Sequence, residues 1–537
     1  MGWGPTLQQI PVRPILASVI ATFFLGLTLF TVFQKGLVAI MTVHEWGRYE
    51  FAIPAAITKL KYGGGWFVAY DRIEMPLMEG GFTENERLLA TLGVPFPENL
   101  HNGALLNKAM KNARDVEAAP PREDPHPGGY FQALRGSGAD DAGLSTYVLL
   151  SITIFGYNIE GFTYLYFLIS ILSIVLFILG HGRHAPEMAA LAAFTAALYA
   201  LVGSDLIHPD RLDLKDPRFL STLAGIPLLH LVLYLTRARE FVVRDYLGLL
   251  GQSVIFAFVV HVRSSAQWGL LALIVLWLLL VLNALWWNRI ARRDILSLRT
   301  RYSVVIPGCM LAVFLSGFLL VKAAAHPLYR LEGDVLHHTL WHGLYYALQN
   351  HPEWESKYGN GASGDAMPVL AAKLAIQKLP AEERQQYLTR FGWPTRIALE
   401  KFSRLLFVDL LRHDPRFVAD TFFIFKPFYL FATAKQFYAS VFRNTPRWRA
   451  IILIAALAAL GTIAAGDRRV LSIIGPLPVT AGLFALLAWI PNWLVTHGSM
   501  VMVDHFLWGL FAMFSVIVLI VATLARALVP RKVAPVS

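Results

Sequence analysis

Cysteine is almost missing from this chain of 537 residues. The one residue, Cys309, lies inside an apolar block, so no disulfide can form within the chain and no water-exposed stretch is stapled. Charge is sparse as well. Only 15% of residues are charged against 56% hydrophobic, which excludes an ordinary soluble globular protein of this length. No Gly-rich phosphate loop leads into a basic Ser/Thr helix start, no serine sits in a nucleophile elbow, and no Cys or His set has strong metal spacing. The apolar blocks also carry few of the acids and arginines that many ion-coupled transporters place in the bilayer. That leans away from a proton or sodium pump and leaves a lipid flippase open.

What the chain does have is long blocks almost free of charge, such as Leu220 to Leu235, Trp268 to Leu282, Ile451 to Ile463 and Phe506 to Leu524. With weakly polar flanks most such blocks reach about 20 residues, enough to cross roughly 30 Å of hydrocarbon. Inside lipid each backbone group must find its partner within the segment, so the blocks are helices. They predict ten spans, near residues 14–43, 160–181, 187–204, 219–236, 243–262, 267–287, 303–325, 448–465, 470–491 and 505–526. The first block is too long for a cleaved signal and is read as a retained helix. If the spans alternate, Arg237, Arg239 and Arg244, the group from Arg289 to Arg301, Arg468 and Arg469, and Arg526, Arg531 and Lys532 all fall on one side. The net charge of +11 therefore marks a cytoplasmic face, with both termini on it, rather than a nucleic-acid partner.

The fold class expected is an all-α membrane protein of about ten transmembrane helices with two large external insertions. A seven-helix module fills residues 1–325 with an external loop at 44–143; residues 326–447 form a small external α-helical subdomain, and 448–537 carry three C-terminal spans. In the first insertion a helical pattern from His44 to Lys61 stops at Gly63, Gly64 and Gly65. The apolar run from Ser145 to Phe155 is too short to span and belongs in the interface plane. The second insertion has helix-like segments at Val335–Gln349, Pro368–Lys378, Pro380–Phe391 and Pro394–Leu411, each opened or closed by Pro or Gly. Asp216-Pro217-Arg218-Phe219 recurs as Asp414-Pro415-Arg416-Phe417, too short a match to be a repeat.

Five constellations fall at external ends or in the insertions. Asp140 and Asp141 are adjacent carboxylates that would repel unless a proton, a divalent cation or a hydroxylated ligand lies between them, which suits a general base or a metal ligand. The plainer role is a helix cap. Glu45 and Arg48 stand where the first span leaves the membrane, within reach of a lipid head group, or as solvated charges in an aromatic belt. His208, Asp210, Arg211, Asp213, Lys215 and Arg218 share a loop that could hold a phosphate and a sugar, or only connect two spans. His337, His338 and His342 follow Arg330; residues 338 and 342 are one helical turn apart, but Thr339 stands where a zinc protease needs Glu, so contact with phosphate or sugar fits better than zinc. Asp504-His505 opens the last span and reads as a cap more readily than as a site.

The layout resembles the GT-C class of integral membrane glycosyltransferases, which includes protein mannosyltransferases and the aminoarabinose transferases that act on lipid A. Glu45 with Arg48-Tyr49 is similar to their acidic motif after the first helix, and Thr146 to Leu150 through Phe155-Gly156-Tyr157-Asn158 to their segment entering the second. The usual Asp-Glu pair is His44-Glu45 here, with an acidic pair later at Asp140-Asp141. The resemblance implies a polyprenyl-phosphate-linked sugar as donor and an envelope acceptor on the outer face of a bacterial-type inner membrane. Asp140, Asp141 or Glu45 would deprotonate the acceptor, with Arg48, Arg135, His208, Arg211, Arg218, Arg330, His337, His338 and His342 about the donor phosphate and sugar. No cofactor is demanded, although a divalent cation could serve. A flippase of a lipid-linked glycan, or an accessory subunit of an envelope assembly, are the rival expectations.

Overall fold

The structure is a computed structural model that describes residues 12–35, 49–63, 68–70, 103–115, 131–133, 142–203, 217–236, 243–291, 340–359, 366–388, 394–495 and 503–528, with a few single positions between 313 and 364. It is an all-α membrane protein, helical almost throughout. One small antiparallel ribbon, β1 (Val68–Tyr70) on β2 (Phe131–Ala133), is the exception among the described residues.

Nine helices among the described residues are long and apolar enough to cross a membrane. Eight fall on predicted blocks: α1 (Val12–Lys35), α5 (Glu160–His181), α6 (Ala185–Gly203), α7 (Gly225–Thr236, led in by a 3-10 turn at Pro217–Ala224), α8 (Val243–Val262), α14 (Arg447–Ala465), α15 (Val470–Val495) and α16 (Val503–Leu528). The block near 267–287 is α9 (Gln267–Ala291), and the block near 303–325 lies mostly outside the described residues. The remaining long apolar helix is α13 (Pro415–Arg443), which falls within the expected external subdomain at 326–447, beyond the last helix-like segment expected there, Pro394–Leu411.

Alanine explains how these helices assemble. Every residue of α6 is buried, and nine of its nineteen are alanine or glycine, so neighbours can close on it from all sides. Gly461 of α14 leaves no room for a Cβ, which would lie 2.6 Å from Val521 on α16. Without a hydrophobic drive between helices in lipid, such close backbone approach supplies the packing.

Three contacts define one end of the bundle, here the proximal end. The guanidinium of Arg13 fills the space beside Gly466, Arg469 meets His184 Nδ1 at 3.0 Å, and Arg526 donates to Arg468 O at 3.4 Å. At the distal end Arg449 donates to Gly203 O at 2.9 Å, and Phe33 stacks on Tyr164. The starts of α1 and α6 thus share the proximal end with the finish of α16.

A layer of helices lies over the distal end. α4 (Ala142–Phe155) touches His261 and Val262 at its start and Gly161 at its finish, so its 14 residues run across the ends of α8 and α5 instead of between them. Such a crossing is compatible with the interfacial placement expected from its length. α2 (Tyr49–Tyr62) packs on α4, and α3 (Gly103–Asp115) is pinned by Asn107, which accepts from Ile159 N and donates to Glu160. α2 stops at Gly63, whose positive φ of 72° and amide bond to Lys59 O make a left-handed cap.

The second insertion builds α10 (Leu340–Ala347), α11 (Ala366–Gln377) and α12 (Arg396–His413), near the segments expected. The expected Pro380–Phe391 helix shrinks to Ala381–Arg384 and one 3-10 turn, because Leu388 leaves in extended backbone to bridge Pro394. Its core holds Tyr345, Trp354, Phe407 and Phe417. The Asp-Pro-Arg-Phe recurrence has a local cause at its second copy. Asp414 caps Phe417 N, Pro415 takes the first helical position where no amide is needed, and Phe417 packs inward.

Candidate functional site

The distal corner between α8, α9, α16 and the Pro217–Ala224 turn gathers polar side chains where the apolar spans end. α8 finishes with Arg263, whose amide bonds Val259 O, and a 3-10 turn at Ser264–Ala266 leads straight into α9. That tight corner turns Arg263 and Ser265 inward, where both are buried. Asp504, in the first turn of α16, lies against the Ser221 and Ser265 hydroxyls and faces Arg263. A cavity of about 10 Å³ beside Asp504 and Ser221 is lined further by Gly225, Gly269 and Trp508, room for roughly one water. An acid, a cation and two hydroxyls at a helix start form a small polar site on an apolar floor.

Polar groups recur at three further depths between α5, α7 and α8. Tyr166 OH shares a hydrogen bond with Thr222 at 2.9 Å, and Gln252 donates to Ser173 O at 2.7 Å. Toward the proximal end the rings of His181, His230 and Tyr234 meet edge-on or tilted, with ring centres 4.7–4.8 Å apart, and Tyr234 donates to Asp245 at 2.8 Å. Gly180 and Gly248 make room for the His230 ring. The few charges expected in and beside these spans include buried ones, Glu187, Asp245 and Arg263, and His181 and His230 are buried as well. All but His230 stand near a block end, where sequence alone cannot tell a solvated flank from a buried group.

Of the predicted site residues, Asp140, Asp141, Glu45, Arg48, Arg135, His208, Arg211, Arg330, His337 and His338 lie outside the described residues. Arg218 falls in the Pro217–Ala224 turn, with only its backbone described. His342 is in the first turns of α10, its ring stacked with Tyr346 at 6.2 Å. Its amide and that of Trp341 donate to Glu400 at 3.0 and 2.9 Å, so Glu400 of α12 caps α10 from another helix. α10 in turn rests on the distal end of α15, where Gly343 sits against Val495 with no room for a Cβ.

The described flanks of the remaining residues all belong to one end. Glu45 and Arg48 lie between α1 and α2, Arg135, Asp140 and Asp141 just before α4, His208 and Arg211 between α6 and the Pro217 turn, and Arg330, His337 and His338 before α10. Sequence reasoning did not single out Arg263, which looks like any charge closing an apolar block, and it weighed Asp504 chiefly as a cap. Among the described residues no group of three His, Cys, Asp or Glu side chains is arranged to hold a metal ion. No family model, curated protein or solved structure matches this chain.

Proposed function

We propose that this chain is a membrane glycosyltransferase of the GT-C type that works at its distal end, moving a sugar from a polyprenyl-phosphate donor to an envelope glycan, lipid or protein acceptor. The distal end then faces the periplasm of a bacterial-type inner membrane, and both termini face the cytoplasm. One observation carries the reading: every stretch bearing a candidate acid or cation is anchored by described flanks at the end where α2 and α4 lie flat over the spans. A donor of this kind needs hydrocarbon for its isoprenoid and cations at the boundary for its phosphate. Arg263 joins Arg211, Arg218 and Arg330 as a candidate for that charge, and Asp140, Asp141 or Glu45 serves as base. A divalent cation between the two aspartates is compatible with this chemistry.

The test is release of polyprenyl phosphate, with the sugar appearing on an acceptor, by the purified protein in lipid nanodiscs supplied with a panel of polyprenyl-phosphate hexoses and pentoses and a cell-envelope extract of glycans, lipids and proteins as acceptor. Asp140→Asn with Asp141→Asn should abolish release while insertion and yield stay normal. Unchanged release would move the base to Glu45, and a parent protein inert toward the whole panel would overturn the reading. A second reading, a transporter or flippase of a lipid-linked glycan, draws on the polar groups found at three depths between α5, α7 and α8. Movement of a fluorescent lipid-linked glycan across proteoliposomes, without sugar transfer, would favour it.

A further inference from the structure

α13 has the length and apolarity of a span, yet its contacts keep it at the distal end. Its 29 residues measure about 43 Å, more than the hydrocarbon thickness. Near its start, Phe422 O accepts from Trp493 of α15 at 2.5 Å. Near its finish, Tyr438 meets His505 at the start of α16 at 3.3 Å, and Phe437 stacks on Phe506. Trp493 and His505 belong to the distal ends of neighbouring helices. Six residues beyond α13, Arg449 bonds Gly203 O, again at the distal end. A helix crossing the bilayer would bring one of its ends to the level of Arg469 and Arg13; this one does not.

The faces of α13 divide sharply. Leu430, Ala434, Phe437 and Val441 join the main core. The opposite side exposes Phe423, Ile424, Phe428, Tyr429, Phe431 and Phe442, with Phe428 and Phe423 more than two-thirds exposed at 73% and 71%. Such an aromatic face would be costly in water and is larger than the scattered apolar residues of a soluble surface. Two features say what covers it. The face runs on into the apolar outer side of α14 through Trp448, Ile451 and Ile454, which sits in lipid as part of a span. No acid occurs from Thr421 to Asn444, while Lys435 and Arg443 are exposed along the same helix, a charge pattern suited to lipid phosphates.

We infer that α13 is an interfacial helix whose aromatic face beds into the distal leaflet, its partner being the phospholipid itself, with acyl chains against Phe428 and Phe431 and head-group phosphates beside Lys435 and Arg443. The inference is independent of the transferase reading. It also places the external subdomain on the membrane surface, since α13 is the continuous link from that subdomain into α14.

The single native cysteine makes the test direct. On a Cys309→Ala background, Phe428→Cys, Phe431→Cys and, as a core-facing control, Ala434→Cys carry a fluorophore in vesicles of phosphatidylethanolamine and phosphatidylglycerol containing brominated phosphatidylcholine. Labels at 428 and 431 should be quenched at least twofold more by lipid brominated near the glycerol than by lipid brominated near the chain end, with the label at 434 little affected. In intact spheroplasts, Arg416→Cys and Arg443→Cys should react from the same side with a membrane-impermeant maleimide. Reaction from opposite sides would make α13 a true span and overturn the inference. Unquenched labels at 428 and 431 would also overturn it, giving the face to protein, and cross-linking between those positions would identify a second copy. These positions are exposed, so the variants should insert at parental yield.

Discussion

Replacing Gly143 with alanine should damage the distal layer at its hinge with the membrane bundle. A Cβ at Gly143 would stand 2.5 Å from Val262 N and 2.7 Å from His261 O. Both are backbone atoms, which cannot rotate away as a flexible side chain would. Comfortable contact begins near 3.5 Å, so α4 must retreat by about 1 Å. Overpacking of this kind costs about 1–3 kcal/mol, and the better helix propensity of alanine returns up to about 1 kcal/mol, leaving a net loss of about 1–2 kcal/mol. The functional effect should be larger, because a displacement of about 1 Å between reacting groups can cost a hundredfold in rate, and α4 follows Asp140 and Asp141 directly in the chain. Thermal unfolding in detergent followed by tryptophan fluorescence reads the first effect, and release of polyprenyl phosphate the second. Gly482→Ala is the control: nothing lies within 4 Å of the added methyl, so stability should hold or rise. If Gly143→Ala unfolds with the parent and keeps full activity, α4 is not fixed on α8 and the distal layer is no rigid platform for chemistry.

Two further outcomes probe the external subdomain. Asp414→Ala removes the cap on Phe417 N and the acceptor for Tyr358 OH, at 3.1 and 2.9 Å, and should destabilise the subdomain, seen as earlier proteolysis within 394–420 while α16 stays protected. His351 is buried on the Phe417 ring, 3.8 Å between centres, and desolvation lowers its pKa, with Glu353 and Asp420 opposing. Its folded pKa thus lies below the unfolded value of about 6.5, so the unfolded chain takes up a proton that the folded one resists. Stability should be full above that value and fall as pH drops below it. The lowered Asp414 pKa acts separately, its contribution persisting until pH falls through its own folded value. His351→Phe should flatten the unfolding temperature between pH 7 and 5, and an unchanged slope would refute the assignment.

The spans were legible because their signal is continuous. Eight helices matched blocks defined only by missing charge, and α4 has the 14 residues of an apolar run too short to span. α13 was not read, because Lys426, Lys435 and two prolines break its apolar run, while its aromatic face shows only once helical spacing aligns residues 424, 428, 431 and 442. Site legibility followed the same division. Loop acids and histidines stand out in sequence, where charge contrasts with its neighbours. Arg263 and His230 do not, since one closes a block as an interfacial arginine would and the other is a single polar residue among leucines. Their meaning comes from packing: a 3-10 corner that turns Arg263 toward Asp504, and Gly180 and Gly248, which admit the His230 ring.

The buried polar groups also bear on the choice between transfer and passage. Moving a glycan through the bundle requires a route of sugar width lined by hydrogen-bonding groups. Between α5, α7 and α8 the polar pairs are already spent on one another: Tyr166 on Thr222, Gln252 on a backbone carbonyl, Tyr234 on Asp245. They join helices at successive depths, as interhelical hydrogen bonds do in lipid, where a free polar group is costly. The distal corner differs in kind. Its cavity of about 10 Å³ is too small for a sugar, with Asp504 and Ser221 in its walls and Arg263 facing Asp504. A fixed polar floor suits a reaction at the rim, whereas a transporter would need this corner to open by several ångströms across the tight Arg263–Ala266 turn. Holding that turn rigid should therefore leave sugar transfer intact and stop only passage.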